Sequence, residues 1–172
     1  MSDSSPATDG SPFWQFSLRL YRMPNVAEAC IALQEESGVD VNLLLFVLWH
    51  AQQGRSLTTA EVSALDVRVA PWRDATVIPL RTVRRLLKSP PALVAPATAE
   101  AFRTRIKAVE LEAERLQQEA MFLLAPLGAD GATPETAART NVEAYQAALD
   151  VEFSRPAVTT LLSAFSSMMR PG

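Results

Sequence analysis

Apolar side chains recur every three or four residues along most of the chain, which is the spacing of one face of an α-helix. No stretch of useful length shows the strict alternation of apolar and polar residues that a half-buried strand requires. The longest unbroken apolar run lies from Leu43 to Trp49, inside a predicted helix over 41–53 that is apolar on nearly every face. Such a helix is buried on all sides, so we expect it to form the centre of an all-α fold.

Capping residues and prolines mark the ends of the first helices. Ser11 followed by Pro12 is an N-cap with proline in the first turn, and Pro24 stops the helix that begins there. The same Pro24 is expected to open a second helix that ends at Gly38, since glycine readily takes the left-handed conformation of a helix C-terminus. Asp40 then caps the central helix. The second and third helices are therefore predicted to form a tight antiparallel hairpin.

The middle of the chain is rich in proline, which interrupts helices because it lacks a backbone donor. A fourth helix is predicted from about Thr58, and Pro71 ends or bends it. A fifth helix follows to about residue 88, with a kink or split at Pro79. The proline-rich segment 89–97 is predicted to be an internal linker.

After this linker, apolar residues alternate at spacings of three and four for about four heptads, which predicts a long helix packed lengthwise on a partner. The seam consists of Ala99, Phe102, Ile106, Val109, Ala113, Leu116, Ala120, Leu123 and Leu127. Either the partner lies within the same chain or the seam pairs across a two-fold axis. We favour a partner in the same chain, because many short amphipathic helices need a platform.

Two further helices complete the prediction. Thr133, followed by a proline, starts one of them, and a last short helix begins near Pro156. We therefore expect an irregular all-α bundle of seven or eight helices around the buried central helix. Residues 11–168 should form a single helical domain, with a disordered N-terminal tail before it and a short tail after it, over 1–10 and 169–172.

Composition excludes several kinds of site. With one Cys and one His among 172 residues, the chain lacks the ligands of a standard zinc or di-iron centre and cannot form an internal disulfide. Gly-rich phosphate loops and nucleophile elbows are also missing, so we expect no metal, no cofactor and no catalytic residue. The first ten residues carry two acids and no base, unlike a signal peptide, and no apolar run approaches the roughly 20 residues that span a bilayer. These features predict a cytoplasmic protein without membrane insertion.

Several unusual short motifs lie in the first two thirds of the chain. Their residues are Phe13, Trp14, Tyr21, Cys30, Leu33, Gln34, Gly38, Asp40, Val41, Asn42, Leu45, Trp49, Trp72, Arg73, Pro79, Leu80 and Arg81. Over roughly residues 13 to 120 the chain resembles a family of short bacterial proteins known only as a domain of unknown function. The resemblance implies a compact helical cytoplasmic protein and transfers no catalytic residue, because that family has no agreed activity.

Four cations share one face of the fifth predicted helix: Arg81, Arg84, Arg85 and Lys88, at i, i+3, i+4 and i+7. Bases near a helix C-terminus are usually solvated, and we favour that interpretation; if the face instead binds a partner, we expect Arg81→Glu/Arg85→Glu to abolish partner capture and to leave the stability nearly unchanged. The alternative is a site for an acidic protein partner or an anionic small molecule. Nucleic acid fits less well, because the net charge is −3 and the stripe is short.

A second candidate site combines aromatic and polar residues. Asn42 lies in the first turn of the central helix, where a buried amide needs a partner, so it either clamps another helix or contacts a ligand. Trp72 with Arg73 either edges a pocket or anchors the bend after Pro71. A pocket lined by Trp14, Asn42, Trp72 and Arg73 would make the protein a small-molecule binder or an enzyme.

The predicted hairpin also brings Cys30 to within about one turn of His50, which permits a thiolate–imidazole pair. A lone Cys among apolar residues more often fills the core, and we favour that interpretation.

The leading functional hypothesis is a non-enzymatic interaction or regulatory module. It would use the basic face over 81–88 and the long helix over 99–127, either to bind an acidic partner or to form a homodimer. A closed apolar centre favours this hypothesis, whereas a cavity with Arg73 or Arg81 in its wall favours the small-molecule alternative.

Overall fold

Eight α-helices and one π-helical turn make up the computed structural model, which describes residues 10–124 and 128–170. The helices are α1 (Pro12–Tyr21), α2 (Val26–Ser37), α3 (Val41–Gln52), α4 (Thr59–Trp72), α5 (Ile78–Leu86), α6 (Pro96–Leu123), α7 (Pro134–Leu149) and α8 (Arg155–Met169), and the π turn is Arg73–Val77. These described ranges contain no strand. The all-α fold predicted from the sequence is confirmed.

Side-chain caps begin several helices at the predicted places. Ser11 caps α1, Asp40 caps α3 and Thr133 caps α7, and each accepts a hydrogen bond from a backbone N–H of the first turn. Thr58 caps α4 in a reciprocal capping box with Glu61. A cap satisfies an otherwise unpaired backbone donor and contributes about 1 kcal/mol, so these helix starts are encoded locally.

The central helix α3 is buried on every side, as predicted, with all of residues 42–51 inside. Helix α7 packs along it: Asn141 donates to the carbonyl oxygen of Val47, and the Tyr145 hydroxyl accepts a hydrogen bond from the backbone N–H of Asp40. Helices α1 and α4 also contact α3, while α8 packs against α2. Although α3 is almost wholly apolar, neither it nor any other described helix has both the length and the hydrophobicity needed to cross a membrane.

The prolines of the middle segment lie at junctions between helical elements, as predicted, but the chain does not leave the helical conformation there. Helix α4 continues through Pro71 to Trp72, and the π turn joins it to α5, so that the chain stays helical from Thr59 to Leu86. Pro79 lies in the first turn of α5, where a missing donor costs little. The π turn Arg73–Val77, just before Pro79, has a wider hydrogen-bond spacing than an α-helix and so accommodates the shift in hydrogen-bond register between α4 and α5. Pro24 does not open α2, which begins at residue 26 after a left-handed residue.

Smaller differences concern the ends of the later helices. Helix α6 begins at Pro96, inside the predicted linker 89–97, and α8 is a 15-residue helix that extends to Met169, which was assigned to the C-terminal tail. Residues 1–9 of the predicted N-terminal tail and Leu127 at the end of the predicted seam lie outside the described residues.

A long middle segment contributes little to the apolar core, with only Val77, Ala99 and Ala113 as buried apolar residues. No residue from 70 to 120 belongs to the buried apolar cluster or packs against its edge. Residues 78–112, here named the arm, comprise α5, the connecting segment and the first half of α6. Only Ala99 and Glu110 are buried within the arm. With so few buried apolar side chains, the arm depends on polar contacts more than the rest of the molecule does.

Candidate functional site

Arginine and glutamate side chains join the two helices of the arm. Arg81 donates from Nε to Glu110 (3.1 Å) and from Nη2 to Glu114 (2.8 Å), and Arg84 forms another ion pair with Glu110. Glu110 is only 5% exposed, so its charge depends on these guanidinium groups for compensation. Burial raises the pKa of Glu114, and the nearby Arg81 opposes this rise. Two of the four predicted partner-binding cations are thus engaged inside the chain.

The other two cations of the predicted basic face point elsewhere. Arg85 pairs with the exposed Glu35 of α2 (2.9 Å), and Lys88 is exposed, with no ion pair to any described residue. A face with four free cations therefore does not exist, because carboxylates of α6 cover Arg81 and Arg84. We now expect the Arg81→Glu/Arg85→Glu variant to be destabilised, in contrast to the expectation from the sequence, since Arg81→Glu would place another carboxylate against Glu110 and Glu114.

Asp40 is both a helix cap and the centre of a polar network. Its Oδ2 accepts a hydrogen bond from Nε2 of Gln117 (2.9 Å) and lies 3.5 Å from Nη1 of Arg73. Arg73 also pairs with Asp66 (2.6 Å) and Asp74 (3.0 Å). Burial alone would lower the pKa of Arg73, but its hydrogen bonds with the two aspartates raise the pKa. Three carboxylates already surround this guanidinium, which leaves it little attraction for an anionic ligand.

A cleft of about 630 Å³ opens between the arm and the core, bounded by the end of α2, the start of α3, the π turn and α5. Its charged lining residues are Glu35, Asp40, Asp66, Arg73, Asp74, Arg81 and Arg85. π turns are frequent at functional sites, and here the turn supplies both Arg73 and Asp74. Within the described ranges, no group of three His, Cys, Asp or Glu side chains is placed to hold a metal ion. Its concave shape and its charged lining make the cleft a candidate ligand site.

The predicted aromatic pocket does not coincide with this cleft. Of its four residues only Arg73 lines the cleft. Asn42 is buried, and its Oδ1 accepts a hydrogen bond from Nε2 of Gln118 in α6 (2.9 Å). Trp72 donates from Nε1 to a main-chain oxygen of α6 (3.0 Å), and Trp14 lies on α1 away from the cleft. Asn42 and Trp72 therefore fasten α6 to the rest of the molecule.

The long helix turns part of its apolar seam toward solvent. Phe102, Val109, Leu116 and Leu123 recur every seven residues and are 43%, 53%, 49% and 81% exposed. These four residues are here named the apolar stripe. The prediction that the seam packs within the same chain is wrong for the stripe. The physical reason is that α3 and α5 present polar and charged partners, so α6 turns its polar face toward them.

Sequence analysis missed this inward polar face of α6. Its buried residues are Ala99, Glu110, Ala113, Gln117, Gln118 and Met121. Glu110, Glu114, Gln117 and Met121 follow one another at spacings of four, three and four, so a second stripe was present in the same helix. Hydrophobicity alone gives the wrong orientation when the facing helices offer arginines and amides.

Cys30 and His50 do not form a reactive pair. Burial raises the pKa of Cys30 to about 12, so the thiol stays protonated at neutral pH. His50 is buried beside the rings of Phe46 and Trp49, and neither of its ring nitrogens has a hydrogen-bond partner. Burial lowers the pKa of His50 to about 4. The thiol therefore has no base to activate it.

Comparison with known proteins adds a family match without an activity. A family model described as "Protein of unknown function (DUF2390)" matches residues 12–121, which is well over half of the chain. Searches of curated proteins and of solved structures gave no match. The matched segment includes the π turn and most of the stripe, whereas α7 and α8 lie beyond it.

Proposed function

Because the chain belongs to the DUF2390 family of proteins of unknown function, its function must be argued from its own surface, and we propose a protein-interaction module that binds through the apolar stripe of α6. The proposed module is not an enzyme. A buried, protonated thiol and an imidazole without hydrogen bonds support that part of the proposal. A cytoplasmic location is part of the same proposal, since a free thiol suits a reducing compartment.

The single observation that carries the proposal is the orientation of α6. A large apolar side chain contributes about 1.5–3 kcal/mol when it is fully buried, yet three of the four stripe residues are about half exposed and Leu123 is mostly exposed. The same helix buries Gln117 and Gln118, whose side-chain oxygens lack hydrogen-bond partners. A helix that buries amides and exposes leucines is oriented for a partner on its outer face.

The spacing of the stripe indicates the kind of partner. Apolar residues at a strict seven-residue repeat match another helix that packs lengthwise, because the two helices then keep their contact seam aligned. The stripe therefore fits a helical partner better than it fits a flat surface or a small molecule.

Two leucines of α6 give a matched test of the proposal. Leu116 lies on the stripe, whereas Leu111 lies on a different face of the helix, and they are 49% and 54% exposed. We expect Leu116→Glu to abolish partner capture from cells at native expression level and Leu111→Glu to leave it intact. Both variants should keep the thermal stability, because an exposed position tolerates such changes within about 0.5 kcal/mol. Equal capture by both variants, or equal loss, would contradict the proposal.

A second candidate function is the binding of an anionic small molecule in the cleft. It is favoured by a cavity of about 630 Å³ that has Arg73, Arg81 and Arg85 in its wall. Arg85 is the least engaged of the three, since it has one exposed partner. The same captured material tests this candidate by mass spectrometry of small molecules. A metabolite that wild type and Leu111→Glu retain and Arg85→Ala loses would support it, and capture of none would exclude it.

A further inference from the structure

We propose that the helical partner of the apolar stripe is a second copy of this chain, bound antiparallel through α6. The inference rests on the proposed function and adds the identity and direction of the partner. A homodimer was one of the two arrangements that the sequence left open for the long helix. Three observations favour the homodimer: the stripe is exposed, it is long, and charges lie along its edge.

The length of the stripe is the first argument. From Phe102 to Leu123 it covers three heptads, which is about 32 Å at about 1.5 Å per residue. A helix that covers it must be equally long and must carry an apolar repeat of the same period. Helix α6 has 28 residues, whereas the next longest described helix, α7, has 16 and is committed to α3. A second α6 meets both requirements.

Self-complementarity gives the register. An antiparallel overlap that sets Phe102 against Leu123 of the second copy also sets Val109 against Leu116 of the second copy. Two-fold symmetry repeats both contacts, so four apolar layers form and the interface closes on itself. The two-fold axis then passes between Glu112 and Ala113. No stripe residue is left uncovered in this register.

Charge complementarity gives the direction. One edge of the stripe carries Arg105, Glu112 and Glu119, one charge per heptad, of which Arg105 and Glu112 are exposed and Glu119 is partly buried. In the antiparallel register Arg105 lies opposite Ala120 of the second copy, next to Glu119 of that copy, and the symmetric contact forms at the other end. If the two copies of α6 instead ran parallel and in the same register, the edge that carries Arg105 would lie beside Ile106 of the second copy. No opposite charge would then face Arg105.

The structure already orients the groups that these contacts use. The Arg105 guanidinium lies 5.4 Å from the centre of the Phe102 ring, at the edge of the stripe. One carboxylate oxygen of Glu119 accepts a hydrogen bond from the backbone N–H of Ser11 (2.8 Å), so the other oxygen is the one that would meet Arg105 of the second copy. Near the axis, the two copies of Glu112 would repel each other, but each lies 3.9 Å from Arg115 of its own helix.

Sedimentation of the full chain tests the second copy. We expect wild type and Leu111→Glu to associate with equal dissociation constants, and Leu116→Glu to weaken association at least about tenfold, because it places a charge twice in an apolar interface. Circular dichroism controls for folding of each variant. A wild-type protein that stays monomeric up to millimolar concentration overturns the inference, as does equal association of all three proteins.

Disulfide trapping tests the direction. Cys30 is buried with a raised pKa, so new cysteines on α6 react alone. We expect a mixture of Val109→Cys and a size-tagged Leu116→Cys to form a mixed disulfide faster than either variant forms a disulfide with itself. Predominant self-disulfides of Val109→Cys would show a parallel pair and overturn the antiparallel inference.

The two proposals fail in different ways. If wild type is monomeric but Leu116→Glu still loses a captured protein that Leu111→Glu keeps, the second copy is wrong and the interaction module stands. If wild type is monomeric and Leu116→Glu loses nothing, both proposals are wrong.

Discussion

His50 is an imidazole held where no hydrogen bond reaches it. It is 1% exposed, lies against Phe46 and Trp49, and has two unpaired ring nitrogens. Burial, with a smaller contribution from Arg55, lowers its pKa from 6.5 to about 4. The folded protein therefore binds this proton more weakly than the unfolded chain does. The stability that the neutral ring provides is complete above pH 6.5 and is lost as the pH falls toward 4.

The residue-scale prediction is that His50→Leu removes this acid sensitivity. Over the window from pH 6.5 to 4 the wild type should lose about 3 kcal/mol more than the variant, at about 1.4 kcal/mol per pKa unit. At pH 7 the variant should be at least as stable as wild type, because no buried nitrogen is left without a partner. Urea unfolding at pH 7.5 and pH 4.5 measures both. Carboxylates titrate in both proteins, so parallel pH profiles would refute the assignment to His50.

At the scale of elements, the arm depends on ion pairs where the rest of the molecule depends on apolar packing. None of its residues joins the apolar core, and α5 has no buried residue. The Arg81 and Arg84 contacts with α6 are partly buried, whereas the Arg85–Glu35 pair is exposed on both sides. Removal of one partner from a partly buried ion pair lowers the free energy of unfolding substantially, because the other charge is left without compensation. Exposed ion pairs contribute little to that free energy.

Arg81→Ala should therefore destabilise the protein by about 1–3 kcal/mol, because it leaves the buried Glu110 and Glu114 with less compensation. Arg85→Ala is the matched control, and its cost should be about 0–1 kcal/mol because its pair is solvated. Chemical unfolding measures the two values. Hydrogen exchange should show that Arg81→Ala speeds exchange in the arm before it affects α3. Equal costs for the two substitutions would contradict this account of the arm.

At the scale of the whole molecule, the family segment is not a complete fold. It ends at residue 121, and α7 and α8 beyond it cover α3 and α2. Asn141 of α7 donates hydrogen bonds to the carbonyl oxygens of Val47 in α3 and of Arg55 in the segment after it. At the start of α3, the Tyr145 hydroxyl accepts a hydrogen bond from the backbone N–H of Asp40. Without these helices an almost wholly apolar helix would face water.

Residues 10–124 expressed alone should therefore lack a cooperative unfolding transition and should bind hydrophobic dyes. Addition of a 128–170 peptide should restore cooperativity, because it returns the cover of α3 and the bonds of Asn141. Thermal unfolding with and without the peptide measures this. A sharp transition for residues 10–124 alone would mean that the family segment folds by itself.

Much of the fold was predictable because its signals are local. Ser11, Asp40 and Thr133 cap the helices they were expected to cap, and the all-buried α3 follows from its composition. The likeness to a family of unknown function is confirmed by the family match over residues 12–121. Pro71 lies one residue before the end of α4, as predicted, whereas nothing in the local pattern indicated the π turn that follows and keeps the chain helical.

The candidate sites were less predictable because they depend on which helix faces which. The four cations of α5 were visible in the sequence, but the carboxylates that cover Arg81 and Arg84 lie 26 to 33 residues away on α6. The cleft is lined by the end of α2, the start of α3 and α5, which are far apart in the chain. No local sequence motif therefore predicts it.

The sequence by itself determined the helices, the central position of α3 and the heptad repeat of α6, because each follows from hydrogen-bonding caps and from periodicity within one segment. Only the tertiary structure decided which face of α6 turns inward. That choice depends on the arginines of α5, which pair with Glu110, and on Asp40 and Asn42 at the start of α3, which accept hydrogen bonds from Gln117 and Gln118 and so leave the apolar stripe to the outside. Charge and hydrogen-bond partners distant in the chain outweighed hydrophobicity there, since a buried polar face is stable when its partners are in place.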